Sequence, residues 1–114
     1  MLFRSLVGMQ RATALMMLGE KVTAADAASI GMIYKCVDDD QFESEAFRLA
    51  ETLSNLPTKA LAFTKQAINQ SLHSSLFDQL NEEDRLQQKA AATNDYKEGV
   101  AAFIEKRSPQ FKGE

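Results

Sequence analysis

The chain has 114 residues, 45% of them hydrophobic and 25% charged, which excludes two independent domains, a disordered polymer and a collagen-like repeat. Its 13 Lys and Arg against 16 Asp and Glu give a formal charge of −3 with no basic stripe, a poor match to a nucleic-acid surface. A chain this short buries only about two-thirds of the surface its unfolded form exposes, so its core is expected to be thin and to gain from a partner.

No membrane span is expected. The longest stretch free of formal charge, Gln66 to Phe77, is studded with Asn, Gln, Ser and His and falls far short of the roughly 20 apolar residues that cross a bilayer. The N-terminus places Arg4 after Leu2 and Phe3 and lacks a long apolar run, which does not support a secretory signal. Cys36 is the only cysteine, so no intrachain disulfide is possible and a reducing, cytoplasmic location is the expectation.

Taken in chain order, Gly8 to Leu18 reads as a helix of small and apolar residues, with Gly19 placed to close it in a left-handed cap. Thr23-Ala24-Ala25-Asp26 reads as a capping box, with Asp in place of the usual Glu, that opens a short helix ended by Gly31. Met32 to Val37, rich in β-branched and aromatic side chains, is expected to be a short extended segment. From Asp39 the period is 3.6: Phe42, Ala46, Leu49, Ala50 and Leu53 line one face of an amphipathic helix whose start carries Asp38, Asp39 and Asp40.

Pro57 suits the first turn of the next helix, which carries Leu61, Ile68 and Leu72 on one side and Ala60, Phe63 and Ala67 beside it. Ser75 and Asp78 form a second capping box, opening a strongly polar helix that runs to about Ala92 and is suited to a surface or a subunit bridge. The last helix starts near Thr93 and Asp95, whose carboxylate suits the first-turn amides, and lines up Tyr96, Val100, Phe103 and Ile104 before Pro109 stops it. The fold expected is all-α, about five helices with one short extended segment.

Little in the chain suggests catalysis. His73 is the only histidine, and its neighbours Ser74 and Ser75 lie in a helix-to-helix turn, where adjacent residues rarely make a nucleophile and base; a solvated or capping role is the simpler reading. One His and one Cys 37 positions apart do not make a metal site, and no Gly-rich phosphate loop is present. The end of the chain is more suggestive. Phe103, Lys106 and Arg107 stand at i, i+3 and i+4, which on a continuing helix puts an aromatic ring beside two cations, a clamp for a purine base and its phosphate. On composition alone, a core Phe with a basic last turn is the more economical account.

A family resemblance changes that balance. It runs through Leu6-Val7-Gly8, Leu18-Gly19-Glu20-Lys21, Thr23-Ala24-Ala25-Asp26-Ala27, Gly31-Met32-Ile33 and Leu56-Pro57-Thr58-Lys59-Ala60-Leu61, and ends in Asp95-Tyr96-Lys97 and the specific segment Glu98 to Gly113, E-G-V-A-A-F-x-E-K-R-x-P-x-F-x-G. Over nearly its whole length the chain resembles the C-terminal part of enoyl-CoA hydratases/isomerases, the crotonase superfamily. Within it, the likeness is greatest to the isomerases that act on the ring epoxide of phenylacetyl-CoA, with enoyl-CoA hydratases close behind.

The resemblance implies that residues 1–114 form a C-terminal helical domain that packs over an active site, contacts coenzyme A and builds oligomers. It implies a truncated piece, because the larger strand–helix domain that supplies the oxyanion donors and the acidic side chains is not matched; no catalytic residue is carried over. Two binding positions are. In the family the aromatic residue and the lysine of the A-F-x-E-K-R segment line the adenosine end of coenzyme A, which corresponds to Phe103 and Lys106. The implied ligand is a coenzyme A thioester as substrate, with no tightly bound cofactor and no metal. The implied partner is a second or third copy of the chain. The competing expectation is a stand-alone helical oligomerisation module without activity.

Overall fold

A computed structural model describes residues 3–114 and divides the chain into two compact units, Met1–Glu45 and Ala46–Glu114. The described residues are helical and contain no strand, so the all-α expectation holds. There are seven helices among them rather than about five. They are α1 (Phe3–Val7), α2 (Met9–Leu18), α3 (Ala24–Ser29), α4 (Phe42–Ser54), α5 (Thr58–Ser71), α6 (Leu76–Ala91) and α7 (Asn94–Glu105).

In the first unit, the helix expected from Gly8 onward is preceded by a separate one. Gly8 takes φ 81° and ψ 160°, conformations closed to other residues, and so breaks α1 from α2 while its carbonyl accepts from Ala12 N–H at 3.0 Å. Gly19 closes α2 in the left-handed region, its N–H donating to Leu15 O. Thr23 caps α3: its Oγ1 accepts from Asp26 N–H at 3.1 Å and donates to Asp26 Oδ2 at 2.7 Å. Val7, Ala12 and Ala27 form the small core of this unit.

The extended segment at Met32 to Val37 does not form. Met32 and Ile33 N–H both return to Ala27 O at 2.9 and 3.3 Å, which bends the chain against the end of α3 instead of offering those donors to a strand. Lys35 then pairs with Glu45 at 2.6 Å. The start of α4 falls at Phe42, after a turn in which Asp38 O accepts from Gln41 N–H at 2.9 Å.

In the second unit α5 and α6 form an antiparallel hairpin. Gln66 Nε2 donates to Glu82 Oε1 at 2.9 Å and Gln79 Nε2 to Ala67 O at 3.1 Å, the descending order that opposed helices require. Ser75 caps α6 through Asp78, as its sequence implies. Polar as α6 is, its Leu86 is among the most buried side chains, while Leu76 and Leu80 stay exposed. Few apolar residues here are covered. No residue of α4 or α5 is buried, and Leu49, Leu53, Ile68 and Leu72 are exposed.

After α7 the chain turns back along it as an extended tail. Asp95, only 3% exposed, does not serve the first-turn amides of its own helix; Thr93 does that, accepting from Tyr96 N–H at 3.1 Å. Asp95 instead receives the tail: Lys112 N–H reaches Oδ1 at 2.7 Å, Gly113 N–H reaches Oδ2 at 2.8 Å, and Asp95 N–H donates to Glu114 O at 3.1 Å. Charge-assisted bonds from two backbone amides account for the burial of this carboxylate.

Candidate coenzyme A contact site

The site is built from the last turn of α7 outward. Helix α7 ends at Glu105, and Lys106 takes φ 55° and ψ 39°, the one non-glycine residue with positive φ among those described. Arg107 N–H then donates back to Ala102 O at 3.0 Å, the bond that defines a Schellman ending. Glycine usually fills the left-handed position because a β-carbon there costs about 1 kcal/mol. Lysine at this position marks a conformation imposed by its surroundings.

Phe103 is 85% exposed among the described residues of this chain. Lys106 is exposed too, and its N–H donates to Phe103 O at 3.3 Å, so the ring and the cation leave the same turn. Beside Phe103 a hollow of about 340 Å³ opens between α5, α6, α7 and the tail, walled by Pro57, Ala60, Tyr96, Val100 and Phe111. A flat, partly apolar group finds aromatic surface there, and a cation stands at the helix end.

Arg107 does not join them. Sequence spacing puts it on the face of Phe103 and Lys106 only if the helix continues, and the left-handed turn at Lys106 sends it elsewhere. Its guanidinium makes a fork with Glu98, Nη1 to Oε1 at 2.6 Å and Nη2 to Oε2 at 2.9 Å, while Nε donates to Glu105 Oε2 at 2.6 Å. Glu98 Oε1 also accepts from Gln110 N–H at 2.8 Å. The Arg107 hydrogen bonds, and then that from Gln110, hold the Glu98 carboxyl down to about 2, and Glu98 together with Glu105 raises Arg107 above its ordinary value.

The other candidates disperse. His73 is exposed in the turn after α5, its N–H donating to Gln70 O at 3.0 Å; Ser74 Oγ donates to the same carbonyl at 3.1 Å, and Ser75 Oγ is occupied in capping α6. Among the described residues no three His, Cys, Asp or Glu side chains gather as metal ligands, and no helix is long and apolar enough to cross a membrane.

The helical arrangement of the chain is shared with known proteins. The profile of the enoyl-CoA hydratase/isomerase family matches residues 1–114, and the chain belongs to that family. It is 43% identical over 106 residues to the 1,2-epoxyphenylacetyl-CoA isomerase of Escherichia coli K12, covering 93% of this chain and 40% of that protein. It is 40% identical over 105 residues to a probable enoyl-CoA hydratase of Mycobacterium bovis, covering 92% of this chain and 41% of that one. The crystal structure of an enoyl-CoA hydratase from Geobacillus kaustophilus superposes with a TM-score of 0.89 at 31% identity, over 97% of this chain and 42% of the other. The chain thus spans about two-fifths of the length of the curated relatives it matches.

Proposed function

We propose that the chain is the C-terminal helical part of an acyl-CoA isomerase or hydratase, and that it contributes the Phe103 and Lys106 contacts to coenzyme A. The observation that carries this reading is the 85% exposure of Phe103 beside a lysine fixed at the end of the same helix. An uncovered aromatic ring is costly to leave in water, and a stacked base would cover it while Lys106 neutralises phosphate. Support for the acyl group comes from the relatives' names: a ring-epoxide thioester for the Escherichia coli protein, an enoyl thioester for the hydratases. The reading assigns no catalytic residue to this chain, so the isolated chain turns over neither crotonyl-CoA nor 1,2-epoxyphenylacetyl-CoA above background.

Saturation-transfer NMR tests the contact. Saturating the aromatic protons of the full chain in the presence of coenzyme A transfers magnetisation to the adenine H2 and H8 signals, and Phe103→Ala abolishes the transfer. Transfer that survives Phe103→Ala places the base elsewhere.

A second reading, a stand-alone oligomerisation module, draws on Phe42, Met17, Ile104 and Phe77, which are all exposed. Under either reading the exposed apolar surface favours association, with a two-fold dimer or a trimer as the assemblies expected.

A further inference from the structure

The backbone at Lys106 calls for a cause. A helix can end in a left-handed residue at little cost when that residue is glycine, but a lysine pays for its β-carbon, and the turn persists only if something beyond it is held in place. The geometry points to the Glu98–Arg107 pair as that cause: we infer that this fork is a positioning device which fixes Lys106 in its left-handed conformation and thereby sets the direction its ammonium takes from the end of α7.

Three observations converge on this inference. Arg107 is the residue directly after Lys106, and its guanidinium is anchored by two parallel bonds to Glu98, nine residues back along α7. Two bonds from a planar fork fix orientation as well as distance, which one bond from a lysine would not. Nε of the same guanidinium is held by Glu105, the residue directly before Lys106, so the left-handed residue lies between two anchored neighbours. Beyond it, Gln110 N–H is bound by the same Glu98 oxygen that Arg107 uses, which carries the returning chain past Ser108 and Pro109 on the path the turn dictates. Were the fork absent, an ordinary right-handed residue at 106 would let the helix run on and send the lysine off in a different direction from the one the left-handed turn gives it.

The inference rests on the coenzyme A reading above, and its test separates the two. Neither Glu98 nor Arg107 is a binding residue in it; both act through Lys106. NMR of the full chain first reads the conformation of Lys106 from its Cα and Cβ shifts and its amide–Hα coupling. Wild type shows positive φ, and Glu98→Gln and Arg107→Ala shift Lys106 toward right-handed values. Calorimetry with coenzyme A then follows a double-mutant cycle of Lys106→Ala and Arg107→Ala. Arg107→Ala weakens binding about fivefold in the wild-type background, the size of a lost exposed ion pair, and has no further effect once Lys106 is alanine. If Arg107→Ala loses helix content, Arg107→Lys takes its place in the cycle, since it keeps the charge and loses the fork.

Two results overturn the inference while leaving the coenzyme A reading intact: Lys106 keeping its left-handed conformation in both variants, or Arg107→Ala weakening binding equally in the two backgrounds, which is what a merely structural role gives. Equal affinity of wild type and Lys106→Ala overturns the reading beneath it, whatever the conformational arm shows.

Discussion

Replacing Asp95 by alanine removes the acceptor of two tail amides at once. Each bond to a charged acceptor contributes about 1.5–3 kcal/mol. Because a freed tail lets both Lys112 and Gly113 N–H groups reach water, the loss is capped by the free energy of tail docking. A net destabilisation of about 2–3 kcal/mol is therefore expected, near the lower end of the sum. At about 4 °C per kcal/mol for a chain of this size, the thermal midpoint falls by roughly 8–12 °C. Asp95→Asn keeps one acceptor but turns an NH₂ toward the second amide, and loses about half as much. Circular dichroism gives the midpoints, and hydrogen exchange of the Lys112 and Gly113 amides gives the local effect, an acceleration of about thirtyfold in Asp95→Ala. Unchanged exchange at both amides alongside a fallen midpoint would refute the reasoning, since Asp95 would then support something other than the tail.

The remaining predictions address the same end of the molecule. Gly113 sits at φ 76°, and a β-carbon there would stand 2.6 Å from Thr58 Oγ1, so Gly113→Ala destabilises by about 1–2 kcal/mol and Thr58→Ala in the same chain restores only the steric share, as thermal melts will show. Glu98, held at about 2 against an ordinary 4.5, stabilises the fold fully above that ordinary value and progressively less as pH falls toward 2; acid titrations of Glu98→Gln lack this part of the slope. Lys106→Gly relieves the left-handed strain and raises stability by about 0.5–1 kcal/mol while lowering coenzyme A affinity, a divergence that denaturant melts and calorimetry read separately. Light scattering at micromolar concentration finds the chain as a dimer or trimer; a monomer that binds no hydrophobic dye would show its apolar faces to be covered without a partner.

What could be read in the sequence was local. Thr23 with Asp26, Ser75 with Asp78 and Gly19 each act within four residues, and the structure places them as their spacing implies. The separate α1 escaped notice because five residues carry too little periodicity to register and only the conformation of Gly8 divides it from α2. The segment after Gly31 has strand-like side chains, yet its amides are taken by Ala27 O, a tertiary choice that propensity does not record.

The candidate site shows the same divide more sharply. Phe103 and Lys106 are proposed through a family motif, whereas the spacing that groups Arg107 with them assumes a helix one turn longer than the real one. Arg107 belongs to Glu98, and Asp95 to Lys112 and Gly113, across 9, 17 and 18 positions. Such pairings depend on how the tail folds back, for which Pro109 was the only local sign. The exposure of Phe103 likewise depends on what fails to pack on it, and no sequence pattern distinguishes an uncovered aromatic on a helix face from a buried one.

The central claim, that this chain meets coenzyme A through Phe103 and Lys106, is tested most directly by calorimetric titration of coenzyme A into wild type, Lys106→Ala and His73→Ala. The account predicts weak binding by wild type, a loss of about fivefold in Lys106→Ala, and no change in His73→Ala, whose residue lies in the turn after α5 and not in the α7 turn that carries Phe103 and Lys106. Equal losses in the two variants, or the larger loss at His73, would contradict it.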